Sequence, residues 1–227
     1  MNQPPENPDY AREWCRLLRS QRSVGEFERG LFAWYVTESE AMLERIQAEA
    51  VGHIQDQVAA GYEEVDQAGL MATEYQARRV RYSHIIYLVS MLETFLKREC
   101  HRLALALGDQ GAPFSPGEIK GDQWTSKKKF LERFGHFEIP EALWSPVRDL
   151  TTVRNNLVHD NGAADAPTPA LTSIMRVSAG IKESSGELDI ESEFVTHASA
   201  SIDRLIDYIH DQVSAVIDRR LRPQYRE

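Results

Sequence analysis

The feature that most constrains this fold is an apolar stretch in the middle of the chain. Over residues 72–107, apolar side chains recur every three or four positions, which is the spacing of a buried helix face. The set is too wide for contact with a single neighbour, so we predict a central helix that is contacted on two sides. Its apolar members are Tyr82, Ile85, Ile86, Leu88, Val89, Leu92, Phe95, Leu96, Cys100, Leu103 and Leu107.

The N-terminal third is predicted to be helical as well. Residues 1–8 are rich in proline and asparagine, which predicts a frayed, disordered start, and Asp9 is predicted to cap a short helix. A long helix then covers about 25–60. Gly61 and Gly69 mark its end without deciding whether the interval between them is turn or helix. The apolar positions of the long helix are Phe27, Leu31, Trp34, Leu43, Ile46, Ala50, Ile54 and Val58.

Two further helices are predicted after a glycine- and proline-rich loop over 108–123. Ser126 is predicted to cap the first, with three lysines in its first turn. Ser145-Pro146 predicts the start of the second, because proline is favoured at the first helical position. That helix is predicted to end near Asp160-Asn161-Gly162. The lysines are Lys127, Lys128 and Lys129, and the residues predicted to face inward beside them are Phe130, Leu131 and Phe134.

A small β-hairpin is predicted between the loop at 160–170 and a last helix over about 196–221. Residues 173–181 and 188–194 alternate apolar and polar side chains, and Ser184-Ser185-Gly186 separates them. These elements predict a mainly α protein, an antiparallel helical bundle with a small β-hairpin before the last helix. We expect a single domain over residues 9–227.

Bulk properties exclude several classes of protein. No run approaches the roughly 18 apolar residues of a membrane span, and the first residues lack signal-peptide character, so we expect a cytoplasmic protein without membrane contact. Cys15 and Cys100 lack metal-type spacing, which predicts free thiols. The net charge of −9 argues against broad, salt-driven binding of nucleic acid. It leaves room for a focused site or for a protein partner.

One arginine–histidine pair stands out as a candidate site. Arg154 and His159 lie five positions apart at the predicted end of the helix that starts at Pro146. Arg154 follows Val147 and Leu150 at a position where the buried stripe predicts an aliphatic residue. Asn155 and His159 are four apart and therefore share one neighbouring face.

The same spacing recurs at Arg79 and His84. Arg79 lies between Arg78 and Arg81, and the three are interpreted as an exposed basic cluster. We therefore assign the candidate site to the pair in the later helix.

Arg154 and His159, with a polar residue directly after the arginine, resemble the signature of the HEPN superfamily of small α-helical domains. Leu92-Glu93-Thr94-Phe95 resembles the Leu-Glu-x-Phe-type element of the corresponding upstream helix. The resemblance implies a metal-independent endoribonuclease in a toxin or phage-defence role, with two motifs facing one groove in a homodimer. It also implies RNA as substrate, and an antitoxin or defence-system protein as a possible partner.

The residue types suit that chemistry. Cleavage by attack of the ribose 2′-OH needs a base, an acid and a cation at the phosphoryl oxygens. His159 is the candidate acid or base, Arg154 the candidate phosphate ligand, and Asn155 the residue that orients the imidazole or binds the phosphate. The candidate substrate contacts are Lys127, Lys128, Lys129, Glu93 and Asn156. No histidine pair has metal-ligand spacing, and no cofactor motif is present, so we predict neither metal nor cofactor.

Other interpretations remain open. Arg154 can pair with Asp149 or Glu93, and the lysines can form a solvated face. The domain can be a non-catalytic dimerisation or adaptor module, or a regulatory domain that binds a nucleotide in the same pocket. Members of the family that are paired with nucleotidyltransferase antitoxins often carry a tyrosine two residues after the histidine. Asn161 stands there, which argues against that form of regulation.

Overall fold

The computed structural model describes residues 8–62, 67–107 and 123–221, with side chains from residue 26 to residue 219 within those ranges. Helices dominate, and the only two strands of the described part form a hairpin before the last helix, so the mainly α prediction is confirmed. Its arrangement as an antiparallel bundle stays a prediction. None of the described helices is both long and apolar enough to cross a bilayer. The elements are α1 (Pro8–Ala59), α2 (Ala68–Leu107), α3 (Gln123–Gly135), α4 (Glu141–His159), α5 (Pro169–Val177), β1 (Ile181–Ser184), β2 (Glu187–Ile190) and α6 (Ser192–Leu221).

The chain divides into two compact units, each assembled from separate stretches of sequence. The first comprises Met1–Glu28, Ser90–Val147 and Ala200–Glu227, and the second comprises Arg29–Val89 and Arg148–Ser199. The expectation of one domain over 9–227 stays a prediction. The predicted frayed segment 1–8 lies outside the described residues, apart from Pro8 at the start of α1.

The predicted central helix is present as α2, which starts four residues earlier than expected, and every apolar position predicted for it except Ile86 is buried. Cys100 is a free thiol at 1% exposure, as predicted for core filling, whereas the side chain of Cys15 lies outside the described residues. Burial raises the pKa of the Cys100 thiol to about 12.

Helix α1 is continuous, so the predicted separation of a short helix from a long one is wrong. No proline interrupts residues 9–59, and an isolated glycine costs a helix only about 1 kcal/mol. The predicted inward face is also wrong at its start, because Phe27, Leu31 and Trp34 are 70%, 49% and 60% exposed. From residue 26 onward, where the side chains of α1 are described, the buried positions are Phe32, Ser39 and Leu43.

Two helices begin earlier than their predicted start signals. Ser126 is a buried residue inside α3, so it is not a cap, and the three lysines lie in the second turn. In α4 the first turn forms on Pro140, whose carbonyl accepts from Leu143 N at 2.9 Å and from Trp144 N at 3.1 Å. Pro146 therefore lies inside α4. The inward positions Phe130, Leu131 and Phe134 of α3 are confirmed.

The prediction of a strand over 173–181 is wrong except at Ile181, because α5 covers its first half and β1 begins only at Ile181. Thr168 caps α5 by accepting from Leu171 N at 3.2 Å, and Pro169 occupies its first turn. Leu171 and Ile174 are buried at helical spacing, whereas Val177 is 69% exposed. The alternating pattern was therefore misleading, because the segment contains a helix N-cap at Thr168 and buried residues three positions apart.

A hairpin is confirmed, but its strands are Ile181–Ser184 and Glu187–Ile190 instead of 173–181 and 188–194, and α6 begins at Ser192 instead of about 196. Ser184 pairs with Glu187, which leaves Ser185 and Gly186 as a two-residue turn. Their φ angles are 55° and 80°, as a hairpin turn with two left-handed residues requires. The side chain of Glu183 accepts from Gly186 N at 2.7 Å and closes the turn.

His84 fixes α1 on α2 within the second unit. Its side chain is fully buried, and Nε2 lies 3.0 Å from the Ser39 hydroxyl. Burial lowers the pKa of His84, with Arg81 adding to the effect and Glu40 opposing it. The histidine is thus a neutral part of the core.

We predict an acid-sensitive stability that depends on His84. The unfolded chain gains a proton on this ring near its usual pKa of about 6.5, whereas the folded chain gains it only at lower pH. Stability is therefore fully present above about pH 6.5 and falls as the pH decreases below it. Urea unfolding between pH 7.5 and 5 should show a smaller loss for His84→Gln than for the wild type. His101→Gln, at an exposed position, should keep the wild-type slope. An unchanged slope in His84→Gln would contradict the assignment.

Candidate functional site

The end of α4 carries the arginine–histidine pair in the second unit. Leu150, Val153 and Leu157 are buried, and Arg154 is half-buried beside them. Val153 fills the aliphatic position that the sequence assigned to Arg154. The error arises because spacings of three and four are equally helical, so the stripe continues through either neighbour. Arg154 lies at the edge of the core and does not interrupt the buried stripe of α4.

A hydrogen bond turns the Arg154 guanidinium toward the face of His159. Five residues along an α-helix correspond to a rotation of about 140°, so Arg154 and His159 do not share a face through spacing alone. Asn155 lies between them, about 40° from His159. The Arg154 Nη1 group donates to Asn155 Oδ1 at 3.1 Å. Cation, amide and imidazole thus follow one another around the helix end.

Both reactive side chains keep free hydrogen-bonding capacity. His159 is the last residue of α4 and is exposed, and its side chain makes no hydrogen bond with the part of the chain that the structure describes. The Nε group of Arg154 is buried and has no partner among the described residues. Asn155 is exposed. The helix end therefore presents a guanidinium, an amide and an imidazole to solvent at its rim.

The turn after His159 has a defined geometry, and the predicted helix end is confirmed. Asn161 and Gly162 have φ angles of 53° and 81°, which reverse the chain. Asn156 supports the turn by donating from Nδ2 to the Ala163 carbonyl at 2.9 Å and to Asp160 Oδ2 at 3.3 Å. The amide nitrogen of Asn156, a predicted substrate contact, is thus engaged within the chain.

The hairpin holds this turn through backbone hydrogen bonds. Leu188 N donates to the Gly162 carbonyl at 2.7 Å, and Ala164 N donates to the Gly186 carbonyl at 2.8 Å. Tyr82 of α2 donates to the Leu188 carbonyl. Burial, the largest cause, and the charge of Glu187 raise the pKa of Tyr82 to about 12, so the phenol stays a donor throughout the neutral range.

Arg78 and Arg79 join α2 to the hairpin, and Arg79 also reaches the turn after α4, so their interpretation as an exposed cluster is wrong. Their side chains are 18% and 25% exposed, and both donate to the Glu187 carboxylate, at 2.7 and 3.1 Å. Arg79 Nη1 also donates to Asn161, at 2.9 Å to Oδ1 and 3.2 Å to the carbonyl. Arg79 thus fixes the backbone two residues beyond His159. Sequence spacing gave no signal for this contact, because the partners lie 82 positions apart.

Arg81, the third member of that basic group, is also paired. It donates to Glu40 of α1, with Nη2 at 2.7 Å from Oε2. The hydrogen bond to Glu40 is the largest cause that raises the pKa of Arg81. The basic group therefore neutralises internal carboxylates and is unavailable as a phosphate-binding surface.

The other predicted substrate contacts belong to the first unit. Lys129 is exposed, whereas Lys127 is half-buried and its carbonyl accepts from the Cys100 thiol at 3.8 Å. Lys128 lies 3.5 Å from Glu141 and 5.3 Å from the centre of the Trp144 ring. Glu93 is half-buried on α2. The structure therefore assembles Arg154, Asn155, Asn156 and His159 in one unit and places Lys127, Lys128, Lys129 and Glu93 in the other.

A second polar cluster, absent from the sequence interpretation, occupies the first unit. Glu99 and Arg102 are 1% and 2% exposed and are paired at 2.6 Å. His210 Nδ1 lies 3.0 Å from Arg102 Nη1 and 3.5 Å from Glu99, and its Nε2 lies 3.4 Å from the Ser214 hydroxyl. The sequence signal for this cluster was the presence of two charged residues, Glu99 and Arg102, beside the apolar positions of α2.

Ser214, His210 and Glu99 are arranged in the order of a serine–histidine–carboxylate triad, but the hydrogen bond from Arg102 to His210 does not suit a triad. Because Arg102 is a donor, Nδ1 of a neutral His210 must accept from it, and Nε2 then carries the proton. A histidine base for Ser214 would need an unprotonated Nε2. The cluster is therefore a structural ion-pair network. Among the residues from 8 to 221 that are described, no group of three metal-ligating side chains is close enough to hold an ion.

Comparisons with known proteins identified no relative of this chain. No protein-family model, no curated protein and no solved structure matches the chain.

We predict that Gly162 is required for the turn that ends α4. A Cβ atom there would lie 2.5 Å from the Tyr82 hydroxyl, in addition to the strain of a left-handed backbone. Gly61 has a similar φ of 79° but open space around it, which makes it a matched control. Gly61→Ala should cost about 1 kcal/mol and Gly162→Ala about 1–3 kcal/mol more, measured by urea unfolding. Equal costs would show that the Tyr82 contact does not constrain the turn.

Proposed function

We propose that this protein is a metal-independent endoribonuclease of the HEPN type, with a toxin or phage-defence role, which cleaves RNA with Arg154 and His159. The resemblance of the two sequence elements suggests the reaction. The proposal is carried by one observation: Arg154 donates to Asn155, which brings its guanidinium to the side of the helix end where the exposed His159 lies.

The proposed reaction is an attack of the ribose 2′-OH on the adjacent phosphorus. The O2′–P bond forms, the P–O5′ bond breaks, and the products are a 2′,3′-cyclic phosphate and a free 5′-hydroxyl. A base takes the 2′-OH proton and an acid gives one to the 5′-oxygen. Imidazole does both near neutral pH, and the planar guanidinium of Arg154 matches two phosphoryl oxygens. Arg154 Nη1 makes one side-chain hydrogen bond, to the exposed Asn155, which supports a position of the terminal guanidinium nitrogens near the rim.

A homodimer completes the acid–base pair in this proposal. One His159 supplies a single proton-transfer group, whereas the reaction needs two. A second chain would supply the other, with both helix ends lining one groove. The net charge of −9 then favours recognition through a focused site over general attraction to the RNA backbone.

Substitution at the two motif residues tests the enzyme. His159→Ala should reduce cleavage of mixed RNA by about 10²- to 10⁴-fold, the typical share of general acid–base catalysis. Arg154→Ala should reduce it by about 10²- to 10³-fold, the typical cost of losing one group that stabilises developing charge. Cleavage should persist in EDTA, should leave 2′,3′-cyclic phosphate ends and should spare DNA of the same sequence. The control is His101→Ala, because this residue is exposed and remote in sequence from the motif. A wild-type protein that cuts no RNA would favour the adaptor or nucleotide-binding alternatives. A requirement for Mg²⁺ would exclude the proposed chemistry.

Mixing experiments test whether two histidines act in one site. If each groove needs both, a dimer of one wild-type and one His159→Ala chain is impaired at its shared groove. Excess His159→Ala protein, equilibrated with a fixed amount of wild type, should therefore depress the total activity several-fold. Activity that depends only on the amount of wild-type chain would contradict the shared groove while leaving the ribonuclease proposal intact.

Arg79 should act as a positioning residue, with Arg78 as its matched control. Both donate to Glu187, but only Arg79 reaches Asn161. A displacement of about 1 Å at a reacting group can cost up to 10²-fold in rate. Arg79→Ala should thus lower kcat about 10- to 100-fold with little change in KM, whereas Arg78→Ala should stay within about threefold. Equal kcat losses in the two variants would assign the effect to the hairpin contact alone.

A further inference from the structure

An apolar stripe lies on the outer face of α1 in the second unit. Leu31, Trp34, Tyr35 and Met42 are 49%, 60%, 48% and 43% exposed. Along an α-helix, Leu31, Glu38 and Met42 fall within about 40° of one another, and Trp34 and Tyr35 flank this line on its two sides. These five residues, called the outer stripe below, extend over about 16 Å of helix. Single exposed apolar residues are ordinary, whereas a continuous set marks a contact surface.

The opposite face of α1 is fixed, so the outer stripe cannot rotate into the core. Phe32 stacks on Tyr87 at 5.2 Å between ring centres. Ser39 bonds to the buried His84, and Glu40 pairs with Arg81. A rotation that buried Trp34 would break both polar contacts and expose Phe32.

Charge argues for a protein partner at this face. Between residues 26 and 59, α1 carries seven acidic side chains and two basic ones. This segment of the helix repels an RNA backbone and an anionic membrane. The acidic residues are Glu26, Glu28, Glu38, Glu40, Glu44, Glu49 and Asp56, and the basic residues are Arg29 and Arg45.

The order of residues in the outer stripe fits a second copy of the same stripe. When two copies are placed antiparallel about a two-fold axis between residues 36 and 37, Leu31 faces Met42 of the second copy. Tyr35 then faces Glu38, with Trp34 beside it. The phenol O–H and the indole N–H are donors, so each Glu38 carboxylate meets partners at the centre of the interface. Apolar pairs lie at both ends and satisfied polar pairs lie in the middle, as an isologous contact requires.

The area is sufficient for a specific dimer. The four apolar side chains of the stripe expose on the order of 500 Å² in each copy, given that an aromatic residue buries about 150–250 Å². Two copies would bury on the order of 1,000 Å², which is the lower bound for a specific interface. We infer that the outer stripe of α1 is a homodimer interface in which two copies of the helix pack antiparallel. The inference rests on the proposed function only in that both require a second copy, since no motif residue belongs to the stripe.

Sedimentation velocity of the full-length protein tests the interface. The wild type should be dimeric at micromolar concentration, and Leu31→Asp and Trp34→Ala should each raise the dimer Kd at least tenfold. Val58→Asp is the matched control, because Val58 is 60% exposed on another face of the same helix. Circular dichroism should be unchanged in all three variants. A monomeric wild type at 100 µM would overturn the inference, as would a dimer that Leu31→Asp and Trp34→Ala leave intact.

Cross-linking tests the register. In a Cys15→Ser background, Leu31→Cys and Met42→Cys proteins should be joined by a short bismaleimide only when the two are mixed. Cys100 should not interfere, since its thiol is buried and its pKa is raised to about 12. Cross-linking of Leu31→Cys alone would overturn the antiparallel arrangement. If Arg154→Ala dissociates the dimer and the stripe variants do not, the inference fails and the shared groove stands. If the stripe variants dissociate a dimer that cuts no RNA, the inference stands and the proposed function fails.

Discussion

The Glu187 carboxylate, held between Arg78 and Arg79, is the contact on which the rest of the candidate site depends. It connects α2 with the hairpin, and Arg79 continues from it to Asn161 in the turn after α4. Two segments far apart in sequence thus meet at one carboxylate of intermediate burial, and Arg79 links a third segment to them. Such a pair is worth little at a fully exposed surface, but two guanidinium groups that share one carboxylate form a network with defined geometry. The position of His159 follows from that network.

Local patterns predicted those parts of the fold that local physics determines. The apolar spacing of α2, the stop at Asn161-Gly162 and the Ser185-Gly186 turn each depend on a few adjacent residues, and all three are present. The strand predicted over 173–181 was wrong because the prediction relied on the alternation of Met175 and Val177. The helix N-cap at Thr168 was the better signal. The predicted helix starts were wrong for a similar reason, because residues that favour a helix start also occur inside helices.

The candidate site shows where sequence information ends. Arg154, Asn155 and His159 are recognisable from spacing, but which of Val153 and Arg154 faces the core depends on the rotation of the whole helix. Arg79 resembled a surface charge because its partners, Asn161 and Glu187, are more than 80 positions away. The exposure of Leu31 and Trp34 could not be predicted from the sequence either. An apolar stripe that contacts another chain has the same spacing as one that packs against the core. Tertiary contacts decide each of these cases.

Pro146 has a consequence for how α4 forms. A proline in a helix interior removes one backbone hydrogen bond, and yet its fixed φ favours the first turn of a new helix. Ser145-Pro146 thus provides a nucleation point inside α4, where the costly first turn is partly ordered before folding. Residues 146–159 can become helical from that point, and the turn on Pro140 can be added afterwards. The start signal in the sequence thus coincides with this nucleation point, while α4 itself begins at Glu141.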